Sequence, residues 1–245
     1  MTPFQYSPVK AVLFDLDDTL FDHQLSCRRS LAALSQNYAC FRQAEPHELE
    51  QIHTNLLNEL HFLVLQGALS LDEARLERFR RLFLYYGEDV SAATAENAAS
   101  LYRLTYQRSR QAVPGSIALI EALRALDIRI AVVTNNLVAE QMDKLQACGL
   151  TPLIDAVVIS EEVGAIKPDR AIFEVALKRV KCAPHEAIMI GDSWSADIIG
   201  ANKVGIRAIW LNRYNYPCPD ETLAFQVNSF EPLDRFLQVL FSVSV

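Results

Sequence analysis

Short apolar segments alternate with amphipathic helical segments over the second half of the chain, and this alternation constrains the fold more than any other feature. Strands that alternate with helices require right-handed crossovers and a parallel sheet covered on both faces, so the sequence predicts an α/β fold. The strand predicted at 9–14 contains a continuous apolar run, which is typical of a buried strand, and it is expected to join that sheet. The predicted strands after it lie at 128–134, 155–160, 187–192, 206–211 and, more weakly, 224–227. The predicted helices lie near 115–126, 137–147, 169–180, 195–203 and 232–241.

Residues 22–112 have a different composition from the rest of the chain. They hold only Gly67, Gly87 and Pro46, whereas the remainder holds six glycines and nine prolines. So few helix breakers over this length predict long helices, at about 24–38, 46–66, 70–87 and 91–110. The sequence therefore predicts two domains: a sheet core formed by 1–21 and 113–245, and an all-helical insertion formed by 22–112.

Polar side chains stand at the ends of the predicted strands. In an open parallel sheet, ligands bind beyond the carboxyl ends of the strands, so these side chains are expected to converge. They are Asp15 and Asp17 after the first strand, Thr134 and Asn135 after the second, Lys167 in the loop after the third, and Asp192 and Asp197 after the fourth. Three or four carboxylates, one lysine and one hydroxyl at one sheet edge predict a site for a divalent cation and a phosphate group.

The chemistry of such a site explains these residue types. Oxygen ligands suit Mg²⁺, which usually takes one or two protein carboxylates together with substrate phosphate. A carboxylate such as Asp15 can attack phosphorus, and a neighbouring acid such as Asp17 can protonate the leaving alkoxide and later deprotonate water. Lys167 and Mg²⁺ are expected to keep Asp15 ionised, whereas apolar surroundings would favour a protonated Asp17. Thr134 and nearby amides would hold the phosphoryl oxygens.

The motifs as a set resemble those of the haloacid dehalogenase superfamily, specifically its phosphatases with a helical cap inserted after the first strand. The residues that carry the resemblance are DLDDT at 15–19, Thr134, Lys167-Pro168 and GDSWSAD at 191–197. All four motifs occur in the family's order, and the resemblance covers nearly the whole chain. It implies a Rossmann-like, doubly wound parallel sheet as the catalytic core, and a cap domain at 22–112.

The resemblance also implies a role for each matched residue. Asp15 would be the nucleophile and a Mg²⁺ ligand, and Asp17 the general acid and base, with its backbone carbonyl on Mg²⁺. Thr134 and Lys167 would bind the phosphate, and Asn135 has both a phosphate-binding and a turn-forming interpretation. Asp192 would bind Mg²⁺ directly, whereas Asp197 would lie in the outer sphere or bond to Lys167. Family phosphatases of this type hydrolyse small phosphomonoesters, such as nucleotides or sugar phosphates, in the cytoplasm.

Other activities of the superfamily remain as alternatives. Dehalogenases of the family lack an acid at the position of Asp17, and the phosphonate-cleaving enzymes need a cap lysine, whereas 22–112 contains ten arginines and no lysine. Sugar phosphomutases usually have glycine where this chain has Asp18. A noncatalytic binding protein that kept the fold is the alternative from another functional class. Hydrolysis of phosphomonoesters is the interpretation that we prefer.

Composition excludes some partners and favours one compartment. A net charge of −7 disfavours a sequence-independent nucleic-acid binder, which needs a basic face. No apolar run is long enough to cross a bilayer, and the start MTPFQYSPVK lacks a signal-peptide pattern. Five scattered cysteines without a C-x-x-C pair indicate free thiols. We therefore expect a cytoplasmic enzyme whose partner is a small phosphorylated metabolite.

Overall fold

The chain divides into two compact units. The structure, a computed structural model, describes residues 9–242. One unit, the sheet unit, contains 9–22 and 111–242, and the other, the helical unit, is the continuous segment His23–Arg110. The helical unit thus interrupts the sheet unit once, shortly after its first strand. Within the described range, no helix combines the length and the apolar character needed to span a membrane.

A single six-stranded parallel sheet forms the centre of the sheet unit. Its strands are β1 (Ala11–Phe14), β2 (Arg129–Thr134), β3 (Ala156–Ile159), β4 (Ala187–Gly191), β5 (Arg207–Leu211) and β6 (Phe225–Val227). The order across the sheet is β3-β2-β1-β4-β5-β6, so the chain runs outward from β1 in both directions. Right-handed crossovers on the two sides of β1 place their helices on opposite faces of the sheet. The predicted α/β, doubly wound fold is confirmed.

The central strands are buried on both faces, as strands of a covered parallel sheet must be. All four residues of β1 are fully buried, which explains why AVLF is apolar without alternation. In the register of the sheet, Phe14 lies beside Val132 of β2 and Ile190 of β4. The chain therefore leaves β1 at Asp15 next to the ends of both neighbouring strands. This is where the strand order reverses, and such a point is the usual ligand site of a doubly wound sheet.

Five helices form the helical unit around a core that is rich in aromatic rings. They are α1 (His23–Asn37), α2 (Ala39–Gln43), α3 (Pro46–Leu65), α4 (Leu71–Tyr85) and α5 (Ala92–Arg108). The rings of Phe41 and Phe83 lie 4.6 Å apart in this core. The predicted capping box opens α4: the Ser70 hydroxyl accepts from the Glu73 amide at 3.2 Å, and the Glu73 carboxylate accepts from the Ser70 amide at 3.0 Å. Helix α2 was not predicted, because five residues are too few to show helical periodicity.

The remaining helices belong to the sheet unit. They are α6 (Ser116–Arg124), α7 (Val138–Ala147), α8 (Ser160–Val163), α9 (Arg170–Val180), α10 (Ile199–Lys203) and α11 (Leu233–Ser242). Two of the differences from the sequence-based expectation concern β3 and α10. The predicted strand 155–160 ends one residue early because Ser160 begins α8, which stops at Gly164 with φ of 72°. The predicted helix 195–203 begins with one wide π-helical turn at Trp194–Ile198 before α10.

Candidate active site

Lys167 lies at the centre of the polar cluster at the carboxyl edge of the sheet. It follows α8 in the loop after β3, and only 4% of the residue is exposed. Its Nζ donates to Asp15 Oδ1 at 2.5 Å, to Asp197 Oδ1 at 2.7 Å and to the backbone carbonyl of Val133 at 2.7 Å. An ammonium group has three donors, so these three acceptors use all of them. Burial lowers the pKa of Lys167, but Asp15 and Asp197 raise it by more, and the side chain stays cationic.

Two further carboxylates, those of Asp192 and Asp197, lie close to the carboxylate of Asp15. Oxygen atoms of Asp15, Asp192 and Asp197 all lie within 4.8 Å of one another. Asp15 follows β1, Asp192 follows β4, and Asp197 lies in the π-helical turn, so three separate segments bring them together. The second oxygen of Asp197 accepts from the Ser193 amide at 3.0 Å. Three carboxylates against one lysine leave an excess of negative charge, and an all-oxygen donor set of this kind fits Mg²⁺.

Burial changes the protonation of this cluster when no cation balances it. Desolvation raises the pKa of Asp15 to about 7, and Asp197 adds to the rise, although Lys167 opposes it. The pKa of Asp192 is raised well above its usual value, first by burial and then by Asp15 and Asp197. Lys167 alone therefore does not keep Asp15 fully ionised, and the expectation that Lys167 and Mg²⁺ together ionise it stays a prediction. A divalent cation would supply the charge that lowers both pKa values.

Gly191 allows Asp197 to enter the cluster. A Cβ atom on Gly191 would overlap the Asp197 carboxylate, so a side chain at this position would displace it. The loop beyond Gly191 is held by Trp210 of β5, whose indole Nε1 donates to the Asp192 carbonyl at 2.7 Å. The ring of Trp210 also contacts that of Trp194 edge to face at 5.1 Å. The GD pair at 191–192 is thus fixed by close packing on one side and a hydrogen bond on the other.

The Asp17 carboxylate has partners of its own. Lys144 Nζ donates to its Oδ1 at 2.6 Å and to its Oδ2 at 2.8 Å, and Gln141 Nε2 donates to Oδ2 at 3.0 Å. Immediately after Asp17 the chain turns, with Asp18 at φ of 61°. The surroundings of Asp17 are not apolar, as the sequence-based expectation had them, because an ammonium group contacts both carboxylate oxygens. Its side chain is 27% exposed.

Thr134 and Asn135 end β2 beside this network. The Thr134 hydroxyl accepts from Gln141 Nε2 at 2.6 Å, and the residue is 1% exposed. The side chain of Asn135 bonds twice to the backbone of Lys167: its Nδ2 donates to the Lys167 carbonyl at 3.0 Å, and its Oδ1 accepts from the Lys167 amide at 2.7 Å. The Asn135 side chain therefore holds the lysine loop in place.

Sequence reasoning missed Lys144, Gln141 and Trp210. Gln141 and Lys144 lie three residues apart in α7, on one helix face, and both are buried. The signal in the sequence is that Gln141 and Lys144 share a helix face with Leu145, since polar residues among the apolar positions of a helix need partners. Trp210 gave no such signal, because a tryptophan within a strand is ordinary core material.

Known proteins with similar sequences and structures are consistent with this geometry. The model of the haloacid dehalogenase-like hydrolases matches residues 9–205. The glyceraldehyde 3-phosphate phosphatase of Methanopyrus kandleri is 30% identical over 233 residues, 95% of this chain and 96% of that one. The pyrimidine 5′-nucleotidase PynA of Streptococcus pneumoniae is 29% identical over 208 residues, 84% of this chain and 85% of that one.

Among solved structures, the HAD-hydrolase YfnB of Bacillus subtilis, described as bound to magnesium, has a similar fold. It aligns with a TM-score of 0.72 and 25% identity over 94% of this chain and 99% of that one. The curated relatives named above are phosphatases of small phosphate esters. The match over residues 9–205, together with the relatives that span nearly the whole chain, shows that this protein belongs to the haloacid dehalogenase-like hydrolases.

Proposed function

We propose that the protein is a Mg²⁺-dependent phosphomonoesterase that works through an aspartyl phosphate on Asp15. The observation that carries this proposal is the buried Asp15 carboxylate, bonded to Lys167 at 2.5 Å within a group of three carboxylates. A carboxylate fixed by one oxygen presents its other oxygen for attack on phosphorus. Lys167 is then close to the phosphoryl oxygens, where its charge offsets the negative charge of the transition state.

Asp17 is the proposed general acid and base. In its protonated form Asp17 gives a proton to the leaving alkoxide, as Asp15 attacks phosphorus and the bond from phosphorus to the ester oxygen breaks. In the second step water attacks phosphorus, its proton passes to the Asp17 carboxylate, and the bond between Asp15 and phosphorus breaks to release phosphate. The Thr134 hydroxyl and the Asn135 backbone amide are the proposed donors to the phosphoryl oxygens. In this scheme Asp15 and Asp17 have separate lysines and separate tasks.

The acidic cluster is the proposed Mg²⁺ site, with Asp15, Asp192 and the backbone carbonyl of Asp17 as ligands. Asp197 acts one step further out, through its bond to Lys167. The bound cation would neutralise the carboxylates and the incoming phosphate. Among the described residues, Asp192 is the one of the three whose carboxylate makes no hydrogen bond or ion pair, so it is the member most available to a cation.

Small phosphorylated metabolites are the proposed substrates, with sugar phosphates and 5′-nucleotides as the first candidates. The curated relatives support this class, since their names specify a triose phosphate and pyrimidine nucleotides. We assign substrate selectivity to the helical unit, in line with the cap of the phosphatases that the chain resembles. The cytoplasm is the proposed compartment, because all five cysteines are free thiols and such thiols suit a reducing environment.

The test is phosphate release from nucleoside monophosphates, sugar phosphates and small phosphoacids, measured with Mg²⁺ and with EDTA. Asp15→Asn is the control for contaminating phosphatases. We expect release that requires both Mg²⁺ and Asp15, and the ranking of rates names the substrate class. If Asp15→Asn released phosphate as fast as the wild type, Asp15 would not be the nucleophile.

A further inference from the structure

A second buried lysine is present in the sheet unit, and the roles assigned so far do not use it. Lys144 of α7 is 5% exposed, and its Nζ contacts both oxygens of Asp17, at 2.6 and 2.8 Å. The same Nζ lies 5.4 Å from the centre of the Phe21 ring, close enough for a cation–π contact. Lys144 is therefore fixed by a carboxylate on one side and an aromatic ring on the other.

Gln141 adds a third hydrogen bond to the same carboxylate. It is fully buried, and its Nε2 donates both to Asp17 Oδ2 at 3.0 Å and to Thr134 Oγ1 at 2.6 Å. In this arrangement the amide oxygen of Gln141 is buried without a hydrogen-bond partner among the described residues. An unsatisfied buried oxygen is costly, so packing alone would favour an apolar residue here.

A contribution to folding stability does not by itself explain why Lys144, Gln141 and Asp17 are buried together. A buried ion pair is often no more stable than apolar side chains of the same volume, because desolvation offsets the attraction. Lys144 and Gln141 fix the position of the Asp17 carboxylate, because together they donate three hydrogen bonds to it from one helix.

We propose that Lys144 and Gln141 are positioning residues, which hold the Asp17 carboxylate where it exchanges protons with the leaving group and with water. This inference rests on the proposed function, because it concerns how Asp17 performs its part in ester hydrolysis. Lys144 acts through Asp17 and does not contact the reacting atoms. A misplaced acid loses its effect steeply with distance, so the two residues set the efficiency of proton transfer.

The leaving group gives the test its specificity. p-Nitrophenolate departs as a stable anion and needs little help from an acid, phenolate needs more, and ethoxide needs most. Single-turnover release of the leaving group from the three corresponding phosphate esters, with Mg²⁺, isolates the first step. We expect Lys144→Met to slow release from ethyl phosphate by roughly 10- to 100-fold and from p-nitrophenyl phosphate by less than about threefold. Gln141→Leu is expected to show the same order with smaller effects, and it tests the proposal should Lys144→Met not fold.

Matched controls separate positioning from structural damage. Lys178→Met and Gln146→Leu replace exposed residues of the same types, in α9 and α7, and both are expected to leave all three rates unchanged. Asp17→Asn is expected to reproduce the graded pattern. Adding Lys144→Met to Asp17→Asn is expected to change the rates by less than about twofold, because residues that act through one another are not additive.

The results that would contradict the role of Lys144 differ from those that would contradict the proposed function. Equal slowing of all three esters by Lys144→Met, or a large additional loss in the Asp17→Asn background, would show that Lys144 does not act through Asp17. The proposed function itself fails if the wild type releases no leaving group, or if Asp15→Asn releases it as fast as the wild type does. In that case the role of Lys144 falls with it.

Discussion

The two units of the molecule hold their buried charges in different ways. In the sheet unit, Lys167 bonds to two carboxylates and a carbonyl, and Lys144 bonds to both oxygens of one carboxylate. In the helical unit, Arg78 is 9% exposed and lies over the rings of Phe79 and Tyr102, 5.1 and 5.2 Å from their centres. Its Nε has no hydrogen-bond partner within the range that the structure describes.

The buried charges have fixed positions in the sheet unit, where they pair with carboxylates, more than in the helical unit, where Arg78 lies over aromatic rings. Two lysines and their carboxylates define where each oxygen lies, at the cost of desolvating all of them. Aromatic rings stabilise a cation without specifying one position for its donors. Next to Arg78, burial lowers the pKa of His53 well below its usual value, so this histidine is neutral at pH 7. The buried charges of the sheet unit are thus paired with carboxylates at defined distances, whereas the buried arginine of the helical unit lies against aromatic rings.

The largest expected effect is the loss of activity in Lys167→Met. This change removes the cation from two buried carboxylates and from the proposed phosphate site at once, so kcat/KM should fall about 10³-fold or more. Steady-state hydrolysis of p-nitrophenyl phosphate measures it, with the exposed Lys178→Met as the control. A rate within about threefold of the wild type would show that activity does not need Lys167. The buried ion pairs of the sheet unit would then have no more functional weight than the buried arginine of the helical unit.

The acidic cluster should make stability depend on pH. The pKa of Asp15 is raised to about 7 in the folded chain without a cation, from 3.8, so the folded state binds more protons between these values. This contribution to stability is present below pH 3.8 and is lost as the pH rises through about 7. We therefore expect the Tm in EDTA to fall between pH 5 and 8, and less so in Asp192→Asn, which removes one of the repelling charges.

Mg²⁺ should reverse this trend in the wild type. The cation binds deprotonated carboxylates, so its stabilising effect grows as the pH rises. Thermal unfolding at pH 5.5 and pH 8, with and without Mg²⁺, tests both expectations. A Tm shift with Mg²⁺ that is the same at both pH values, or the same in Asp192→Asn as in the wild type, would contradict the assignment of the metal site.

The smallest expected effect is that of Arg78→Met in the helical unit. No carboxylate is left unpaired by this change and methionine fills a similar volume, so the free energy of unfolding should change by about 1 kcal/mol or less. Urea unfolding monitors it, with Arg80→Met as a surface reference that loses an exposed ion pair with Glu77. A loss of more than about 3 kcal/mol would mean that Arg78 is as tightly paired as Lys167.

The residues at strand ends could be predicted from the sequence because topology alone determines their position. Asp15, Thr134 and Asp192 each follow a strand, and parallel strands end at one edge of the sheet, so no knowledge of side-chain packing was needed. Lys144 and Gln141 could not be assigned in this way. Which face of α7 meets Asp17 depends on how the helix packs on the sheet, and this is a tertiary property.

The same reason explains why the expected environment of Asp17 was wrong. Its place in the motif says that it stands near a phosphate, but its hydrogen-bond partners come from a helix more than 120 residues further along the chain. The protonation of Asp15 was likewise out of reach, because it depends on how far burial outweighs the charge of Lys167. Motifs thus predict which groups meet, whereas packing decides which of them are charged.

The central claim is that Asp15 carries the phosphoryl group, and the most direct measurement is mass spectrometry of the acid-quenched enzyme during turnover of p-nitrophenyl phosphate with Mg²⁺. We expect the peptide containing Asp15 to gain the mass of one phosphoryl group, and the corresponding peptide of Asp15→Asn to gain none. The opposite finding, rapid turnover by the wild type with no label on this peptide and undiminished turnover by Asp15→Asn, would contradict the claim.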